Sequence, residues 1–111
     1  MAVTVKVLIP AKIAESSQTT QYTASGLKAI IDKFTATNYS ASAATISVNL
    51  VTSGDTAGNQ NLIVKTKTLQ AGETYTFPEI VGASLDAGGF ISTIAGTATA
   101  INIRASGREV S

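Results

Sequence analysis

Short runs of β-branched residues, each closed by a glycine-bearing turn, fill the chain from residue 69 to residue 104 (LQAGETYTFPEIVGASLDAGGFISTIAGTATAINIR). That punctuation disfavours helices, in which glycine and β-branched side chains both cost stability. It suits strands joined by tight turns. Residues 74–77 read as a strand stopped by Pro78, residues 79–85 as one helical turn across the end of a sandwich, and residues 90–95 as the next strand. Gly96 breaks that strand, residues 97–104 form the last long one, and Ser106-Gly107 turn the chain into a tail over 108–111. Within 97–104, Ile101 and Ile103 share a face with Thr97 and Thr99.

The other segments read as strands placed to pair with these. Val3, Val5 and Val7 alternate with Thr4, Lys6 and Leu8, the pattern of a half-buried strand. Pro10 ends that strand or confines it to a sheet edge, because proline has no N–H for a ladder. Residues 11–17 read as irregular and 19–23 as a short strand. Residues 26–38 carry two periods at once. Leu27, Ile30, Ile31 and Phe34 fall at helical spacing, yet Ile30, Ile31, Thr35 and Thr37 are β-branched. The all-β surroundings favour a strand, with a β-bulge near Ile31-Asp32 bringing Ile31 onto the face of Phe34.

Residues 45–51 alternate most cleanly, with Ile46, Val48 and Leu50 on one face and Thr45, Ser47 and Asn49 on the other. Residues 52–60 make a turn-rich polar loop, and 61–69 a strand with Leu62 and Val64 inward and Lys65 and Lys67 outward. The expectation is therefore an all-β fold, a single β-sandwich (immunoglobulin-like or jelly-roll-like) of about seven to eight short strands. One domain spans residues 1–111, with 1–17 as a candidate extended N-terminal arm.

Function is constrained mainly by what the composition withholds. The chain has no cysteine and no histidine. Disulfides, thiolate zinc sites, cysteine nucleophiles and the Ser-His-Asp triad are thereby excluded. The net charge is +1 with no basic block, which gives no electrostatic footprint for nucleic acid or an anionic membrane. No apolar run is long enough to span a bilayer as a helix. The opening MAVTVKVLIPAKIAES lacks the positive n-region of a signal peptide and is interrupted by Lys6, Pro10 and Lys12, so it reads as a mature strand or arm. Charged residues make up only 14% of the chain, so Ser, Thr, Asn and Gln must cover much of the outside. Such a surface loses little hydration on contact, which favours an assembly subunit.

Several residue groups invite a chemical reading. Asp55 and Asn59, flanked by Gly54 and Gly58, offer oxygen ligands but not a calcium-loop spacing, so turn chemistry is the simpler account. Asn38-Tyr39-Ser40 matches the glycosylation tripeptide. Glu73, Glu79 and Asp86 lie in consecutive turns and would have to converge to act as glycosidase carboxylates, with only Tyr75 and Phe77 nearby to platform a sugar. Tyr22, Tyr39 and Tyr75 read as sheet-face or rim residues. Gly82, Gly88 and Gly89 lack the context of a phosphate loop, and Arg104 and Arg108 are candidates to pair with Glu109 or a neighbouring subunit. No catalytic, cofactor or metal site is assigned.

The succession IIDKFTATN, ATISVNLV, LQAGETYTFPEIVG, LDAGGFIS and AINIRASGRE resembles small all-β virion proteins of tailed bacteriophages, over roughly residues 19–110. The resemblance implies a β-sandwich that packs against other virion proteins and needs no cofactor. Within that class it points first to a capsid decoration or cement protein bound to the major capsid protein, beside further copies of itself. A neck, connector or tail accessory protein is the alternative, and a host-surface or carbohydrate-binding module the alternative from another class.

Overall fold

The computed structural model describes residues 2–111. Nine strands follow in order: β1 (Val3–Ile13), β2 (Thr19–Thr23), β3 (Lys28–Asn38), β4 (Ala44–Val51), β5 (Leu62–Leu69), β6 (Thr74–Thr76), β7 (Ser84–Leu85), β8 (Phe90–Ala95) and β9 (Ile101–Val110). One sheet has the order β1-β9-β3-β6, with β7 also on β3, and the other β2-β8-β4-β5. All pairings are antiparallel. The pairs β1:β9, β2:β8, β3:β6 and β4:β5 form one long ribbon whose tip is the loop over residues 52–61. The ribbon folds across itself, so that β9 also pairs with β3 and β8 with β4. With β6 and β7 occupying a single strand position along β3, this is the jelly-roll order of a β-sandwich. The all-β sandwich read from the sequence is the fold.

The two short strands share that position because residues 78–82 loop out between them. Phe77 N–H donates to the Phe34 carbonyl (3.1 Å), and Gly82 N–H and Ala83 O meet Ile31 O and N–H at 2.7 and 2.8 Å. The helical turn foreseen over 79–85 is therefore one turn only, closed by Val81 N–H on Phe77 O (3.1 Å), after which the chain is extended again as β7. The turn places Ile80 in the core, fully buried.

The bulge expected in 26–38 is present. Pairing of β3 with β9 shifts register between Ile31 and Lys33, leaving Asp32 as the extra residue. Ala29, Ile31, Phe34, Ala36 and Asn38 are all fully buried, although Ile31 and Phe34 are three apart. The helical spacing in this stretch is thus the signature of a bulged strand. Facing β3 across the interior are Ile46, Val48, Ile91 and Leu69, with Phe34 and Phe77 in an edge-to-face pair at 5.3 Å.

Three expectations require correction. The segment 1–17 is not a free arm in residues 3–13: β1 pairs with β9 from Val3↔Val110 to Ile13↔Asn102, as the outermost strand of its sheet, and Met1 lies outside the described residues. Pro10 sits within this edge strand inside the register shift between Ile9 and Lys12, where a missing N–H is tolerated. The last strand does not run over 97–104. Residues 97–100 form a turn, and β9 continues through Ser106-Gly107 to Val110. Gly107 serves close approach rather than turning, because a Cβ there would lie 2.0 Å from the Ile30 carbonyl oxygen. Lys67 does not face outward either. Thr66 takes a positive φ (45°) in a bulge of β5, and Lys67 comes opposite the buried Ile46 on the inward side.

Gly107→Ala forces backbone apart at the β3–β9 seam and is expected to lower unfolding stability by about 2–4 kcal/mol. A urea denaturation midpoint equal to wild type would contradict the close approach.

Candidate interaction surface

Ionisable side chains close the two long sides of the sandwich. On one side the Tyr22 hydroxyl on β2 donates to the Glu109 carboxylate on β9, and Lys6 on β1 lies 3.3 Å from the same carboxylate. Burial, then the neighbouring Glu109, push the Tyr22 phenol above its ordinary value. Hydrogen bonding from Tyr22 and from Lys6 holds the Glu109 carboxyl below its ordinary value, against an opposing desolvation effect. On the other side the Lys67 ammonium lies 4.4 Å from the Tyr75 ring centroid, and Tyr75 packs edge-to-face on Phe77 at 4.9 Å. These contacts join β2 to β9 and β5 to β6, so each ties one sheet to the other.

The residues singled out in the sequence do not assemble into a reaction centre. Glu73 accepts the Gln70 N–H (2.7 Å) beside Asn38 at one end of β3, whereas Asp86 approaches Lys28 (3.8 Å) at the other. Ten residues of strand separate those ends, roughly 30 Å, too far for any carboxylate pair. Glu79 lies 3.5 Å from the Tyr75 hydroxyl. Asp55 takes the Thr56 N–H (2.8 Å) and the Gln60 and Asn61 amides, which lower its pKa and knit the 52–61 loop. Among the described residues no cluster of three or more His, Cys, Asp or Glu is placed to hold a metal. Arg108 forms a two-pronged pair with Asp32 (3.0 and 2.9 Å) instead of Glu109. Of the tyrosines, Tyr39 is 52% exposed.

Asn38 is fully buried, which closes it to glycosylation in the folded chain. Its amide donates to Ser42 O (2.8 Å) and Leu69 O (3.0 Å), and its Oδ1 accepts from the Ser40 N–H and hydroxyl. Because Leu69 belongs to β5, this side chain links the ends of the two sheets.

A second polar set was not legible in the sequence. Ser47, Asn49 and Ser92 lie on the outer face of the β2-β8-β4-β5 sheet but are buried there. Gln18 reaches Asn49 and Ser92, Asn49 donates to Gly58 O and Asn61 in the folded-back loop, and Ser47 Oγ receives the N–H of the strained Thr66. Small polar residues at alternate strand positions signal an outer face, and it is the tertiary placement of Gln18, of residues 58–61 and of Thr66 that covers them.

The opposite outer face is open. Val3, Val5 and Val7, which the alternation suggested would be half-buried, are 57, 83 and 42% exposed. Strand period fixes that they share a face but not which one. They pair with Val110, Arg108 and Ser106 of β9. Two surface clefts, of about 370 and 260 Å³, share Ser16 as a lining residue. The larger includes Glu15, whose carboxylate is already occupied by Lys12 and Gln21 (2.9 Å each). The chain thus presents a valine-bearing sheet face and edge as its most distinctive surface. No protein-family model matches the chain, and neither curated proteins nor solved structures yield a match.

Asn38→Ala leaves the Ser40 N–H and the Leu69 carbonyl without their partner, with an expected loss of about 2–3 kcal/mol in chemical denaturation. The Glu109 pKa is depressed in the folded state, so its contribution is present at neutral pH and fades as pH falls through that depressed value. The raised Tyr22 pKa makes stability fall again as pH rises past the ordinary phenol value. Tyr22→Phe is expected to melt earlier at pH 7, with the gap to wild type narrowing toward acid; a gap independent of pH between 2 and 7 would contradict the Tyr22–Glu109 link.

Proposed function

We propose that this protein is a non-catalytic structural component of a tailed-bacteriophage virion, most specifically a capsid decoration protein that binds the major capsid shell and stabilises it. The observation that carries the reading is the exposed valine face of β1, in a chain of which only 14% is charged. Desolvating Val and Thr costs little, and each buried valine-sized side chain returns about 1.5–3 kcal/mol. A standard interface of about 1,600 Å² per contact, repeated over a symmetric lattice, would resist outward pressure on a shell. The resemblance over residues 19–110 supports the same reading. The jelly-roll order, an architecture common among viral capsid domains and also lectins, supports it by fold analogy alone.

Copy number per purified particle, measured by quantitative mass spectrometry against the major capsid protein, tests the proposal. Hundreds of copies are expected for a decoration protein. A few to a few dozen would move the protein to the neck or tail, and none would remove it from the virion.

A further inference from the structure

We propose that the edge of β1 over residues 3–7 pairs with the same edge of a second copy of this chain, antiparallel about a two-fold axis at Val5. The phase of the β1:β9 ladder sets which backbone groups are available. Ala2 and Ser111 exchange both hydrogen bonds (3.2 and 3.0 Å), and the register then runs without a shift from Val3↔Val110 to Val7↔Ser106. In an antiparallel ladder hydrogen-bonded pairs alternate with non-bonded ones. Ala2, Thr4 and Lys6 therefore point their N–H and C=O groups at β9, while Val3, Val5 and Val7 point theirs at the open edge.

Of the four outermost strands, the others are blunted in the ways that discourage strand addition. β6 has three residues, β2 shifts register between Thr20 and Tyr22, and β5 is interrupted by register shifts around Thr66. β1 is regular until the shift after Val7, and residues 3–7 are exposed throughout. That is an uninterrupted template of bonding groups whose length is set at one side by the bulge and Pro10.

The occupant follows from self-complementarity. With the axis at Val5, Val5 meets Val5 of the second copy and Val3 meets its Val7, each as a hydrogen-bonded pair with both valines on the same outer face. Thr4 meets Lys6 of the second copy on the other face, so no like charges oppose one another. An axis at Lys6 would set two lysines opposite each other, which is unfavourable. The V-T-V-K-V sequence thus favours its own copy in this register, and an isologous contact closes after two subunits. The two β1-β9-β3-β6 sheets become one continuous sheet. This pairing concerns the chain itself and stands apart from any location in a virion.

The absence of cysteine allows a direct test. Hydrogen-bonded antiparallel partners have Cα atoms about 5.5 Å apart, within disulfide range. Val5→Cys is expected to oxidise rapidly to a disulfide-linked dimer. Val3→Cys, which the two-fold places roughly 13 Å from its counterpart, is expected to lag far behind, while mixing Val3→Cys with Val7→Cys restores cross-linking. Sedimentation velocity of the wild type over a series reaching millimolar protein is expected to show reversible dimerisation. Val5→Lys, at a position 83% exposed, is expected to abolish that dimer without lowering the thermal midpoint. A wild type monomeric throughout, a dimer untouched by Val5→Lys, or equal cross-linking of Val3→Cys and Val5→Cys would overturn the proposal.

Discussion

One extra residue, Asp32, determines much of this molecule. As the bulged position of β3 it lets Ile31 and Phe34 both enter the core, which a regular strand would forbid. It also carries its own carboxylate outward to the Arg108 guanidinium. The backbone of Ile31, turned away from β9 at the bulge, binds Gly82 and Ala83 and so docks the 78–82 loop that brings Ile80 inside. Gly107 completes the arrangement from the β9 side by allowing the Ile30 carbonyl to come close. Local irregularity in a central strand thus fixes core parity, a surface ion pair and the seating of a loop together.

Elsewhere the sandwich is joined by polar contacts that cross between sheets. Asn38 ties β3 to the end of β5, and Tyr22 ties β2 to Glu109 on β9. Groups that would be costly if buried alone are here satisfied, and the same interactions fix how the sheets align. Tyr22 and Glu109 are in this way committed to architecture.

How far the sequence could be read depended on whether a feature was local. The bulge at Asp32 was legible because β-branched residues at helical spacing contradict each other in any regular element. The alternation of residues 45–51 was legible for the same local reason, and β4 keeps Ile46 and Val48 in the core. The orientation of Val3, Val5 and Val7 was not, since alternation has no sign. Nor was the path of β9 through Ser106-Gly107, because a glycine needed for close approach looks the same as one needed for a turn. Lys67 was turned inward by a bulge centred on Thr66, a residue that gives no warning of positive φ. Asn49 disappeared beneath a loop whose route depends on the whole fold, and Ser47 beside the bulge at Thr66.

The ribbon topology also orders events in time. The rung nearest the tip, β4:β5, closes the shortest stretch of chain, and the rung β1:β9 closes nearly all of it. Closure entropy grows with the length enclosed, so zippering outward from the 52–61 tip is the cheapest route, and folding dominated by such distant pairs is slow. During synthesis β1 leaves the ribosome first, yet its ladder partner β9 leaves last. The strand with the most open edge is therefore the one that waits longest for its ladder partner, and unpaired strand edges are what expose a partly folded chain to aggregation.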